Sequence, residues 1–305
     1  MPNLTEPAGL AEPMLPAAEL ERMERAVRRM LDTGRAEGVE IIGLGELSCV
    51  VARQGLACKR LPPFGQRARY DAYAHLVDGY LRALRAAGVA VVETAAQVVE
   101  VDGEHVGWIV QRRVPADTLL NARLRAAPDD LARHLPSILD HVDACAAAGL
   151  GFDAQLSNWS VEDGRPLLLD VTTPLMRDAR GRDLLDTELF LAMLPALIRG
   201  LVRRFMLGDI LDRYFDRRGV LLDIVGNLPD YGLERLTADA LARVNARLDA
   251  PITAREVKSY RREQWWTWRV IRRALEAEYF WRRRVLRRRV LNLPPTVHAR
   301  VAAGA

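Results

Sequence analysis

Three oxygen-bearing side chains fall close together in the stretch GLGFDAQLSNWSVEDGRPLLLDVTT, Gly149 to Thr173. Asp153 and Asn158 stand five residues apart on a loop, and Asp170 ends the apolar run PLLLD. Between them Val161 begins a short apolar segment, and Glu162-Asp163-Gly164-Arg165-Pro166 supplies a turn. Asp-Gly between two apolar runs is a strong hairpin signal. A hairpin that starts just after Asn158 and finishes at Asp170 brings its ends side by side, so two acids and a carboxamide converge at one rim. Hard oxygen ligands there suit Mg²⁺, which binds through one or two carboxylates plus substrate phosphates. With Asn158 and Asp170 assigned to a metal, Asp153 is left to accept a proton.

The elements before this rim must position it. Ala18 to Arg35 places Leu20, Met23, Val27, Met30 and Leu31 at helical spacing, with Gly34 near its end. Glu40 to Val51, EIIGLGELSCVV, sets Gly43-Leu44-Gly45-Glu46-Leu47-Ser48-Cys49-Val50 between strand-like flanks. Glycines in such a turn let the backbone approach an anion closely. Gln54-Gly55 makes a second turn, and the return strand presents Lys59 beside Arg60. Alternation puts Ala57, Lys59 and Leu61 on one face, with Cys58 and Arg60 on the other. It does not decide which face meets the rim.

Ala68 to Ala87 reads as a long helix. Gly88 to Val101 and Gly107 to Arg113 read as two strands joined at Asp102-Gly103. Pro128 to Ala148 is an amphipathic helix that delivers the chain to the rim. His134 and His141 lie on it seven apart, read as ordinary solvated or core-edge histidines. Beyond Thr173, helices are expected over Thr187 to Leu207, Gly208 to Asn227 and Leu236 to Leu248.

In this order the motifs resemble those of the protein-kinase-like phosphotransferases. That family carries a glycine loop, a strand Lys, a helix acid, then Asp-x4-Asn and a metal-binding Asp after the next hairpin. The resemblance covers about residues 40 to 173. Gly151-Phe152 replaces the family's His-Arg, and Val171-Thr172 replaces its Phe-Gly. These departures point toward a divergent bacterial member of the aminoglycoside-phosphotransferase-like branch.

The resemblance implies an α+β, two-lobed protein-kinase-like fold. Residues 18–113 would form a small lobe with an antiparallel five-stranded sheet. Residues 114–305 would form a mostly helical large lobe, after a flexible arm over 1–17. It further implies ATP and Mg²⁺ as cofactors, with transfer of the γ-phosphate to a hydroxyl of a small molecule or specialised peptide. Asp153 would be the catalytic residue that orients the acceptor hydroxyl and takes its proton, with Asn158 and Asp170 the metal ligands. Gly43, Gly45, Ser48, Val50 and Lys59 would hold the phosphates, Arg60 being the competing cation. Asp78, or Asp71 second, would partner the Lys. Backbone near Val110 to Arg112, centred on Gln111, would meet adenine. The rival readings are a catalytically weak nucleotide-binding pseudokinase and an enzyme that docks on a membrane surface.

The 305 residues are half hydrophobic and carry a formal net charge of +4. That suffices for a full core and gives no general polyanion-binding signature. Cys49, Cys58 and Cys145 have no disulfide or metal spacing, and no apolar run approaches a membrane span, so a cytoplasmic location is expected. From Val257 to Val290 arginines alternate with Tyr260, Trp265, Trp266, Trp268, Tyr279, Phe280 and Trp281. Three readings stand: a terminal helix that packs its Trp side chains inward, a surface for an acidic partner or anionic membrane, and a nucleic-acid surface. No nucleic-acid fold motif accompanies it.

Overall fold

The computed structural model describes residues 12, 14–44, 49–192 and 194–286. Among these, α1 (Ala17–Thr33) precedes β1 (Glu40–Leu44), β2 (Cys49–Arg53) and β3 (Leu56–Pro63). Then come α2 (Arg67–Ala86), β4 (Thr94–Val101) and β5 (Glu104–Arg112). The five strands form one antiparallel sheet in the order β1-β2-β3-β5-β4. The molecule continues with α3 (Leu120–Ala126), α4 (Asp130–Ala147) and a separate hairpin, β6 (Trp159–Glu162) and β7 (Arg165–Leu168). The rest is helical: α5 (Thr187–Leu191), α6 (Ala196–Phe205), α7 (Leu207–Phe215), α8 (Arg217–Asn227), α9 (Thr237–Asn245) and α10 (Ala254–Phe280). The fold class is α+β.

The expected tight turns are present. Gln54-Gly55, Asp102-Gly103 and Asp163-Gly164 all have positive φ at both positions, the backbone that a two-residue hairpin turn requires. Strand alternation then gives the sheet two different faces. Cys58, Val106, Trp108 and Val110 face α1 and join Leu20, Met23, Val27 and Met30 in one core. Leu61 and Ile109 face the other way, into a larger core with Tyr70, Tyr73 and Val77 of α2 and with α4 and α8. Arg60 points to the α1 side, where it donates to the fully buried Glu24 at 2.8 and 2.9 Å, and Arg28 donates to the same carboxylate at 2.8 Å. Gly34 ends α1 in the left-handed conformation, as its position suggests.

Several sequence expectations need correction. The strand expected from Gly88 begins only at Thr94. Before it, residues 90–92 bind β7: the Leu168 N–H donates to the Ala90 carbonyl at 2.8 Å, and the Val92 N–H to the Leu168 carbonyl at 3.0 Å. The arm expected over 1–17 is anchored at its end. Leu15 is fully buried, and the Gln97 side chain bonds the Met14 and Leu15 N–H groups and the Leu15 carbonyl. The single helix expected over 187–207 is divided, because Pro195 cannot continue α5 and instead precedes α6. The helix expected over 208–227 is divided at Asp216, whose carboxylate caps α8 by accepting from the Arg218 and Gly219 N–H groups.

The C-terminal helix differs most. α10 opens on a capping box between Thr253 and Glu256 and buries Val257, Tyr260 and Ile271. Trp268 packs with Leu191, Leu194 and Val202. Trp265, Trp266 and Trp281, however, are 50, 56 and 55% exposed, so the inward-packing reading fails for these three. Among the described residues no helix is long and apolar enough to cross a membrane.

Candidate functional site

β3 decides between the two adjacent cations. Arg60 is committed to Glu24 behind the sheet, whereas Lys59 emerges on the opposite face and reaches the β6–β7 hairpin. Its ammonium donates to Asp170 Oδ2 at 2.8 Å and to Thr172 Oγ1 at 2.7 Å. Val50 pairs directly with Lys59 in the β2–β3 ladder, and Gly43 with Val50 in the β1–β2 ladder, so these three share a face. Gly45 and Ser48 lie outside the described residues.

The hairpin brings its ends together as its sequence implies. Trp159 pairs with Leu168, and the Leu169 N–H donates to the Asn158 carbonyl at 2.8 Å, which leaves Asp170 one residue beyond this closure. Thr172 folds back on Asp170: its N–H donates to Oδ1 at 3.0 Å, and its hydroxyl bonds the same oxygen. Burial works to raise the Asp170 carboxyl. The Lys59 ammonium and the Thr172 donors outweigh it and hold the group below the ordinary carboxylate value. Asp170 is thereby kept ionised.

Asp153 is half-buried on the adjoining loop. The Gln155 N–H donates to its Oδ1 at 3.3 Å, and the Asn158 amide lies 3.4 Å from its backbone carbonyl. Burial, with the charges of Asp223 and then Asp170, pushes the Asp153 carboxyl up to about 7. The loop is held by backbone bonds from Gly151 to Leu175 and from Phe152 to Tyr214, and by Tyr80, whose hydroxyl donates to the Gly151 carbonyl at 2.8 Å. Gly151 is required where it stands. A Cβ there would lie 2.6 Å from Leu175 Cβ and 2.9 Å from the Phe215 ring.

Asp223 is a neighbour of Asp153 that motif reading missed. It is an acid inside the apolar helix α8, 5% exposed, and burial raises its carboxyl against bonds from Tyr260, Asn227 and Gln155. Tyr260 of α10 donates its hydroxyl to Asp223, and the Gln264 amide donates to that hydroxyl at 2.8 Å. The available sequence signal was one carboxylate in VLLDIVG, where every other residue is apolar or glycine. Thr172 and Tyr73 were also missed; the Tyr73 hydroxyl donates to the Thr172 carbonyl at 2.8 Å and so fixes the segment after Asp170.

Other candidates fall as follows. Asp71 is bound to Arg67 one turn away, at 2.8 Å, on the outside of α2. Asp78 is buried on α2, while the two bonds described for Lys59 go to Asp170 and Thr172. Gln111 Nε2 donates to the Leu169 carbonyl at 2.6 Å and to Thr94 Oγ1 at 3.0 Å, which ties the hairpin to the sheet. The Arg112 and Arg113 N–H groups are taken by the Glu93 and Gly55 carbonyls. His141 is half-buried and stacks on Trp159, and His134 is buried. All three cysteines are buried and free.

Among the described residues no group of three or more His, Cys, Asp or Glu side chains gathers as a metal site. A Mg²⁺ ion that keeps several waters and substrate phosphates needs fewer protein ligands. One ionised carboxylate, Asp170, and one neutral carboxamide, Asn158, fit that donor chemistry.

Residues 22–279 match the model of DUF6206, a family of unknown function, and the chain belongs to that family. No curated protein matches it.

Proposed function

We propose that this chain is an ATP-dependent phosphotransferase with a two-lobed protein-kinase-like arrangement, acting on a hydroxyl of a small molecule or specialised peptide. The observation that carries the reading is the Lys59–Asp170 pair. It joins residues 111 apart in sequence and sets the cation of a strand next to a glycine-bearing hairpin against an ionised carboxylate beside Asp153 and Asn158.

In this reading Lys59 exchanges Asp170 for the α- and β-phosphates, while Gly43 and its strand approach the phosphate tail from the same face. Asp170 and Asn158 would hold Mg²⁺, which when bound would supply charge neutralisation to the phosphates. Asp153 accepts a hydrogen bond from the acceptor hydroxyl and orients its oxygen toward the γ-phosphorus. A phosphorus–oxygen bond forms to the acceptor as the bond to the β-phosphate oxygen breaks. ADP leaves, and the hydroxyl proton passes to Asp153. A carboxyl poised near neutrality is well matched to that task. Positioning and charge neutralisation do the rest.

The test combines binding and turnover. Thermal stability is measured with and without ATP and Mg²⁺ on the wild type and on Asp170→Ala, since a ligand that binds only the folded state raises stability. A Mg²⁺-dependent shift, lost in the variant, is expected. ATP turnover in the presence of hydroxyl acceptors should fall by about 100-fold or more in Asp153→Asn. Absence of a shift with any nucleotide would sink the reading. A shift without turnover on any acceptor would replace it with the nucleotide-binding pseudokinase.

A further inference from the structure

The exposed face of α10 and the π-helical turn that follows it, Trp281–Val285, has no role in the site described above. Ten large apolar side chains are exposed among the described residues, and seven of them lie between residues 265 and 286. They include Trp265, Trp266, Phe280 and Trp281, each at least half exposed. Trp side chains normally bury much of their surface. Four exposed aromatic rings on one terminal element therefore mark a contact surface.

Their arrangement is directional. At 100° per residue, Trp266, Val270, Arg273, Phe280 and Trp281 fall within about 60° of one line along the helix. The buried Val257, Tyr260 and Ile271 lie on the opposite side. Trp266 and Trp281 are about 22 Å apart along the axis. The result is a straight row and not a pocket.

The charge on this element is equally one-sided. Residues 261 to 286 hold eight arginines and three glutamates, a net +5 that exceeds the +4 of the whole chain. Glu263 is bound to Arg213 and Glu278 to Arg282. Arg269 lies over the Trp265 and Trp266 rings, at 4.7 and 5.7 Å from their centroids, and Arg284 over Phe280 at 5.9 Å. Cations and large apolar side chains thus share the same surface.

We propose that the outer face of α10 docks in the plane of an anionic lipid bilayer. A straight amphipathic row of Trp, Phe, Val and Arg matches the interface of such a bilayer. The rings and aliphatic groups enter the headgroup–acyl boundary, and the guanidinium groups stay at the phosphates. A second copy of the chain is disfavoured because it would bring +5 against +5. A nucleic acid would satisfy the arginines and leave Val270, Phe280, Val285 and Leu286 in water. The proposal is independent of the phosphotransferase reading.

The experiment uses the full chain with vesicles of phosphatidylcholine alone and of phosphatidylcholine mixed with phosphatidylglycerol, read by co-sedimentation and tryptophan emission. Two surface variants accompany it, Trp266→Glu/Trp281→Glu and Arg269→Glu/Arg273→Glu, with circular dichroism to verify that both remain folded. The expected result is binding to the anionic vesicles only, with a blue-shifted emission. Partitioning should fall about fivefold or more for each arginine reversed and be lost in the tryptophan variant. No binding, equal binding to both vesicles, or binding unchanged in the folded variants would each overturn the proposal. So would an RNA or DNA complex, or a dimer dissolved by the tryptophan substitutions, in a protein that ignores vesicles.

Discussion

Asp153 gives the sharpest quantitative test, through stability and not activity. Replacing it with Asn keeps the side-chain shape and removes the charge. In the unfolded chain this carboxyl ionises near its ordinary value of 3.8, whereas in the folded protein it holds its proton up to about 7. The folded state is the tighter proton binder. Its contribution to stability is therefore intact below about pH 4, declines as pH rises through the window, and is lost above about pH 7. At 1.36 kcal/mol per tenfold difference in proton affinity, the loss is about 4 kcal/mol, and sharing of the repulsion with Asp223 makes about 3 kcal/mol the working figure. The amide of the Asp153→Asn variant is neutral at every pH and escapes this loss. Urea denaturation near pH 4 and near pH 8 should show the Asp153→Asn midpoint gaining about 1 M on the wild type at the higher pH. The variant expected to lose most turnover under the proposed function would then be the more stable protein in mild base. A stability difference that does not change with pH, or an Asn variant less stable near pH 8 than near pH 4 relative to wild type, would refute the electrostatic account.

Two neighbouring cations should separate cleanly. Arg60→Met removes a partner of the buried Glu24 and should cost about 3 kcal/mol in urea denaturation, with the ATP-dependent thermal shift retained. Lys59→Met should show the reverse, a smaller loss of stability and no ATP-dependent shift. At Gly226 a Cβ would lie 2.4 Å from the Tyr260 ring. Gly226→Ala should therefore displace α10 from α8 at a cost of about 1–3 kcal/mol, and an unchanged denaturation midpoint would show that the ring has room to move.

Local chemistry was readable where a residue acts through its own backbone or its immediate neighbours. The β2–β3, β4–β5 and β6–β7 hairpins follow from dipeptides with positive φ between apolar runs, whereas the pairing of β3 with β5 that completes the sheet joins strands with no shared turn. Alternation separated Lys59 from Arg60, but only the position of α1 with its buried Glu24 showed which face each would take. Asp223 was hidden for a different reason. Its importance depends on α8, α10 and the Asp153 loop meeting, across separations that no local pattern encodes. The Trp row stays undecided in the sequence because periodicity gives the relative phase of side chains on a helix and not the direction of the body against which the helix lies.

The bonds from residues 90–92 to Leu168, with that from Gln111 to Leu169, have a consequence for the energetics of any ligand held by Asp170. They tie the separate hairpin to the sheet, so Lys59 and Asp170 already stand together in the folded chain. A ligand that enters between them need not freeze a hinge, and the ordering entropy is not charged to its affinity. Its enthalpy must instead replace one existing ion pair. Binding should accordingly be accompanied by little change in amide exchange across β3 and β7, with the calorimetric signal dominated by the traded charges.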